Sequence, residues 1–346
     1  MSHYGCDWGE WEGERICRLR DAGAQTEIDL LPDFGMNVIR FASRGRDVVL
    51  QPPSLEALRA TPFRYGIPVL SPPGRTSRGL FRHRGVNYKL PTGSDTHNMH
   101  GEIGKVAWRI LQYGVDAVRG AYLEAEYAYR DDPLRFASYP ADLRISVRYR
   151  LKDGALCLEG AARNEGSKHA PFSLGYHPYF VCDLRRTSLR IPVSGQWPMD
   201  RDGSICALPK PTDLAVSVRK GLDLLQVAEN LHFFQCRSMS GRKQSSTYVC
   251  RLEDRNAERR IYYRVGNFFS TLALFLPEWG EAVSLEPHSC LPDAFNLPLK
   301  SPETGVQELA PGEERQFEWR ITVENDVSAR RSIRCKTPTV GTCARE

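Results

Sequence analysis

The sequence predicts an all-β protein, a sandwich of many short strands, on three observations. Apolar residues recur at every second position in several runs, turn residues are spread along the whole chain, and long amphipathic helical patterns are scarce. The 28 Gly and 23 Pro suit short strands joined by turns better than an alternation of strands and helices. At roughly 150 residues per domain, a chain of this length allows about two domains or one large all-β domain. No Ser/Gly linker or break in composition divides the middle, so one large domain is expected over 23–325.

The elements follow in chain order. Residues 1–22 are expected as an N-terminal extension: Met1 to Arg20 is dense in Asp, Glu and Arg and lacks the apolar stretch of a secretory signal. Leu123, Ala125, Tyr127 and Tyr129 form the first alternating run. Leu143, Ile145, Val147, Tyr149 and Leu151 then interleave with Arg144, Ser146, Arg148 and Arg150, turn at Asp153-Gly154, and return through Leu156 and Leu158. That pattern is a β-hairpin. The same period recurs at Ile261, Tyr263 and Val265, and at Phe317, Trp319, Ile321 and Val323. Residues 326–346, rich in Arg, Thr and Ser without periodicity, are expected as a flexible C-terminal tail.

Composition excludes several classes. The share of hydrophobic residues, 41%, and of charged residues, 26%, is that of a soluble globular protein rather than a disordered or fibrous one. Lys and Arg exceed Asp and Glu by 47 to 42, but no basic block forms the footprint of a nucleic-acid binder. The apolar stretch Leu272 to Leu276 falls far short of the roughly 20 residues a membrane span needs. Neither nucleic acid nor membrane is an expected partner, and a soluble cytoplasmic protein is expected. Ten cysteines run from Cys6 to Cys343 without a CxxC pair and are read as mostly reduced thiols. No metal site is expected, because ligand pairs at zinc spacing are missing; His97 and His100 come closest.

Four stretches concentrate polar residues in stiff surroundings. In Phe63 to Arg75 a Pro/Gly-dense apolar loop ends on Arg75, a rigid donor fork for hydroxyls or carboxylates, or else a surface arginine after a turn. In Asn98-Met99-His100-Gly101 the glycine lets a ligand approach the backbone beside an imidazole, although taken singly a structural histidine is the favoured reading. His177 lies in the aromatic, Pro-stiffened stretch Ser173 to Phe180, where burial lowers an imidazole pKa. Glu286 ends a short apolar run in Ala282 to Asn296, a costly place for a carboxylate without an ion-pair partner or a task. Together, one carboxylate, two histidines and an arginine supply the base and acid needed to move protons across one substrate. There is no GxGxxG, GxxxxGKS or GxSxG motif, no cysteine in a protease-type setting, and no second prominent carboxylate for glycoside hydrolysis.

In order along the chain, these residues resemble the aldose 1-epimerase (galactose mutarotase) family, from about Gly23 to Val323. The likeness is carried by Leu31-Pro32-Asp33-Phe34-Gly35-Met36, the Gly66-Ile67-Pro68 loop reaching Arg75, Gly79-Leu80-Phe81, Gly85-Val86, His100-Gly101, His177-Pro178-Tyr179-Phe180, Leu285-Glu286-Pro287 and Pro292-Asp293-Ala294. It implies a large antiparallel β-sandwich, the galactose mutarotase-like supersandwich, with a carbohydrate cleft on one concave sheet and no cofactor. It implies a small-molecule sugar as the partner and sets no oligomeric state. By this likeness Glu286 is the general base at the anomeric hydroxyl, His177 the general acid at the ring oxygen, and His100 and Arg75 bind the sugar. The family's sugar-binding Asp is replaced: the matching stretch is Val227 to His232, so Glu229 or Asn230 stands in, with Asp223 as an upstream alternative. Two other activities fit the same resemblance. One is a carbohydrate-binding protein without efficient catalysis; the other is a sugar-phosphate 1-epimerase using Arg44, Arg46, Arg75, Arg78, Arg82 and Arg84.

Overall fold

The alternation at 143–158 folds as a hairpin: Leu143–Lys152 pairs antiparallel with Ala155–Asn164, and burial alternates residue by residue along the first strand. Asp153 and Gly154, with φ of 50° and 70°, supply the two left-handed positions that a tight hairpin turn needs. This hairpin lies within a nine-stranded antiparallel sheet in the computed structural model, which describes residues 3–93, 96–228, 230–236, 247–255, 258–299 and 301–325. The order across that sheet is Arg109–Asp116, Gly120–Ala128, the hairpin, Glu314–Glu324, Arg259–Gly266, Thr247–Asp254, Thr187–Arg190 and Leu222–Asp223. All the alternating runs read from the sequence fall in it.

One of those runs differs from expectation. Gly120–Ala128 is buried on both faces. Glu124 accepts from Arg148 Nε at 2.6 Å and Glu126 from Arg144 Nη1 at 2.6 Å, and the stems of these arginines roof the outward face. The strand also stops at Ala128. Tyr129 opens a short 3-10 turn that leads into a helix at Pro133–Ser138, whose first turn Asp132 caps by accepting from Arg135 N.

A seven-stranded sheet packs against the nine-stranded one. Its order is Val193–Trp197, Leu231–Cys236, Thr271–Phe275, Ala282–His288, Gly175–Tyr176 and Val69–Leu70, with Tyr179–Val181 also paired to Ala282–His288. Aromatic rings lock the two layers together: Tyr176 meets Trp319 at 5.6 Å, and Phe180 meets Tyr263 at 5.5 Å. Full burial of side chains of this size contributes about 2 kcal/mol each. Tyr176 and Phe180 flank His177, so the segment that carries this histidine is pinned from below by the core.

Residues 1–22, expected as an extension, supply strands Tyr4–Trp11 and Glu14–Asp21 of a third, five-stranded sheet, continued by Thr26–Leu31, Asn37–Ser43 and Arg46–Asp47. Cys17 and Leu19 are completely buried in the main core, opposite Leu30 and Ile28. The tail at 326–346 lies outside the described residues. Among the described residues no helix is long and apolar enough to cross a membrane.

Candidate active site

Along Ala282–His288 the two-residue period sends Val283 and Leu285 into the core and leaves Ser284, Glu286 and His288 on the opposite face. That face floors a cleft of about 590 Å³, lined also by His100, His177, Arg75, Arg64, Phe63, Tyr179, Phe233, Phe275, Trp279 and Asp202. Four of the residues singled out in the sequence, His100, His177, Arg75 and Glu286, therefore meet in one place. A cleft of this size suits a small ligand, and its aromatic walls suit the apolar faces of a sugar ring.

His177 and Glu286 are both buried, and His177 Nε2 lies 3.2 Å from Glu286 Oε1. Their protons can be assigned from the surrounding hydrogen bonds. Ser284 Oγ donates to the Pro178 carbonyl at 3.0 Å and lies 2.9 Å from His177 Nδ1, and with its one proton on that carbonyl it is assigned as acceptor from His177 Nδ1–H. With Nδ1 protonated, Nε2 and Oε1 would face each other as two lone pairs unless a proton lies between them. In that assignment the pair holds one proton. Burial raises the Glu286 carboxyl above its ordinary range, opposed by His177, and burial lowers His177 to about 4, opposed by Glu286. Tyr179 stacks on the His177 ring at 4.7 Å and fixes its plane.

His100 is held by its backbone. Its N–H donates to Gly74 O, its carbonyl accepts from Ser71 N, and its Nδ1 accepts from Gly74 N at 3.1 Å. Burial holds its pKa down at about 3, helped by His288 and Lys105, so the ring is neutral and carries its proton on Nε2 as a donor. His100 itself has φ 63°, followed by Gly101 at 69°. A Cβ on Gly101 would lie 1.6 Å from the Ser71 carbonyl oxygen. Gly101→Ala is expected to cost at least about 2 kcal/mol through backbone strain and the forced separation of the two loops; a thermal melt checks it, and an unchanged Tm contradicts this account.

His100, His177 and Glu286 also offer donor atoms within 4.8 Å of one another, close enough to suggest a divalent cation. The hydrogen bonds argue against it. The free lone pair of His100 is spent on Gly74 N–H, and its other nitrogen carries a proton, so the ring has no electron pair for a metal.

Arg75 reaches the cleft, but its fork is engaged: Nη1 donates to Asp202 O at 2.8 Å and Nη2 to Ser204 Oγ. It ties the turn around Asp202 to the cleft rim. Asn230 does not line the cleft. It is exposed, its carbonyl accepts from Leu276 N, and Leu231 and Phe233, on the following strand, are the side chains that reach the site. Glu229 lies outside the described residues. Asp223 pairs with Arg255 at the far edge of the nine-stranded sheet. Of the other arginines considered for a phosphate, Arg84 is bound to Glu308, and Arg44, Arg46, Arg78 and Arg82 do not line the cleft.

Sequence reasoning missed His288, Arg64, Trp279 and Asp202. His288 is a buried imidazole with Nε2 at 3.2 Å from Glu286 Oε2. Arg64 stacks its guanidinium over Trp279 at 4.7 Å. His288 had a local signal, two residues beyond Glu286 on a strand. Arg64 lies within the stiff stretch Phe63 to Arg75, and Trp279 and Asp202 arrive from separate loops and have none.

Comparison with known proteins agrees with the fold. A family model described as aldose 1-epimerase matches residues 23–322. Galactose mutarotase of Rattus norvegicus is 25% identical over 324 residues, covering 84% of this chain and 89% of that one. Among solved structures, a galactose mutarotase-like protein from Clostridium acetobutylicum superposes with a TM-score of 0.82 at 20% identity, covering 93% of this chain and 99% of the other. Galactose 1-epimerase from Lactobacillus acidophilus gives a TM-score of 0.70 at 18% identity over the same shares.

Proposed function

The chain belongs to the aldose 1-epimerase family, and from that membership we propose that it interconverts the α and β anomers of a free hexose by acid–base ring opening and reclosure. The observation that carries this reading is the 3.2 Å approach of His177 Nε2 to Glu286 Oε1 on the floor of an aromatic cleft. In the competent state the pair's one proton sits on His177 and Glu286 is anionic. Glu286 takes the proton of the anomeric hydroxyl while His177 gives its own to the ring oxygen. The bond from the anomeric carbon to the ring oxygen breaks, and the hydroxyl becomes the aldehyde carbonyl. After rotation about the C1–C2 bond, the roles reverse: His177 withdraws the proton from the open-chain hydroxyl as that oxygen attacks C1, and Glu286 returns its proton to the carbonyl oxygen. The pair begins and ends with one proton, so each turnover resets the site without outside help. His100 Nε2–H is a donor to the sugar, and Asp202 is a further acidic residue lining the cleft.

The test is polarimetric. Freshly dissolved α-D-glucose and α-D-galactose are expected to reach their equilibrium rotation faster with the protein than without it. An unchanged rate for both, with sugar binding seen by calorimetry, would favour a binding protein without efficient catalysis. The engagement of Arg75 by the Asp202 turn and the placing of the other five arginines away from the cleft weigh against the sugar-phosphate reading.

A further inference from the structure

His288 is a buried imidazole beside the acid–base pair for which ring opening has no evident use. It shares a strand face with Glu286, and its ring occupies a prepared space: a Cβ on Gly175 would lie 2.8 Å from His288 Cδ2, so glycine is needed opposite it. Nε2 lies 3.2 Å from Glu286 Oε2, whereas Nδ1 is buried without a hydrogen-bond partner. That orphan fixes the tautomer. A buried N–H without an acceptor costs more than a bare lone pair, so the ring proton belongs on Nε2, where Glu286 accepts it.

We propose that His288 is a positioning residue for the reaction: its Nε2–H occupies Glu286 Oε2 and so leaves Oε1 as the one carboxylate oxygen turned to His177 and the sugar. The inference rests on the epimerase reading. The hydrogen bond holds the carboxylate in one rotamer, and because it is made to the charged form it also opposes the upward pull of burial on Glu286. Against burial, His177 and Ser284 lower the Glu286 pKa. Tyr179 also faces the carboxylate, which raises the Tyr179 pKa, and His100 comes within 4.8 Å of it from the loop after His97–Met99. Arg64, Arg75 and Asp202 are the further charged groups lining the cleft.

Two variants test this. His288→Met keeps bulk but has no donor; His288→Gln keeps a side-chain N–H. In the Met variant kcat is expected to fall about tenfold to a hundredfold with little change in KM, and the acid limb of the pH profile to move to higher pH, since a carboxylate without its donor takes up a proton earlier. The Gln variant is expected to recover most of both. A Met variant with the wild-type profile, or a Gln variant damaged as badly as Met, overturns the proposal. A second readout needs no turnover: the carboxyl carbon of ¹³C-labelled Glu286, followed by NMR, is expected to titrate at higher pH in His288→Met than in the wild type. Equal titration overturns the proposal even if both enzymes are active. A wild type that leaves sugar rotation unchanged overturns the epimerase reading and the role assigned to His288 with it, whatever the NMR titration gives.

Discussion

Glu286→Gln is expected to remove the acceleration of mutarotation, by about 10³- to 10⁴-fold, and to leave the fold standing. The amide is almost the same shape as the carboxylate and can satisfy both neighbours: its oxygen accepts from His288 Nε2–H, and its NH₂ donates to the His177 Nε2 lone pair. It also relieves the cost of burying an ionisable group at a site that already raises the Glu286 pKa. The thermal midpoint should therefore stay level or rise while activity disappears. Polarimetry beside a thermal melt separates the outcomes. Retained activity would show that Glu286 is not the base, and a collapsed melting temperature would show that the carboxylate holds the sheet together.

The second large effect belongs to His177. With one proton shared by the pair, wild-type activity should be bell-shaped in pH. Activity falls at low pH when the pair takes a second proton, a step that burial opposes by lowering His177 to about 4. It falls at high pH when the pair loses its only proton and leaves a bare buried carboxylate, a step that the raised pKa of Glu286 postpones. His177→Asn is expected to lower kcat about 10²- to 10³-fold. The alkaline limb should vanish, because no acid remains to be lost. The acid limb should move up, because Glu286 no longer has the imidazole that lowers its pKa. A pH–rate profile checks both, and an Asn variant that keeps its bell would place the acid elsewhere.

Much of the site was legible because its residues stand where a sequence is least free. His100 precedes a glycine that nothing else can replace, His177 sits between two core aromatics, and Glu286 stands inside a run of buried residues. The strands at 143–152, 259–266 and 314–324 were legible because each has one face in the core, which writes a period of two into the chain. Gly120–Ala128 hid half of its burial, since Glu124 and Glu126 look like solvent-facing residues until the arginines on the next strand are seen to cover them. The role of Arg75 was only half visible: its position at the end of a stiff loop was evident, but its partners, more than 120 residues along the chain, were not. Asn230 matches the family's stretch in sequence but stands exposed just before the strand Leu231–Cys236, whose Leu231 and Phe233 line the cleft instead.

The first 22 residues carry a lesson of a different kind. The stretch that the family model recognises starts at residue 23, yet the hairpin before it is knitted edge to edge with Thr26–Leu31 and sinks Cys17 and Leu19 into the core. Shared ancestry and cooperative folding draw their borders by different rules, one by what has been kept and the other by what must be covered. A chain trimmed to the recognisable portion would bare the long edge of Thr26–Leu31, with Ile28, Leu30 and Leu31 open to whatever strand comes next. It would be recognised as the same protein and behave in solution as a sticky one.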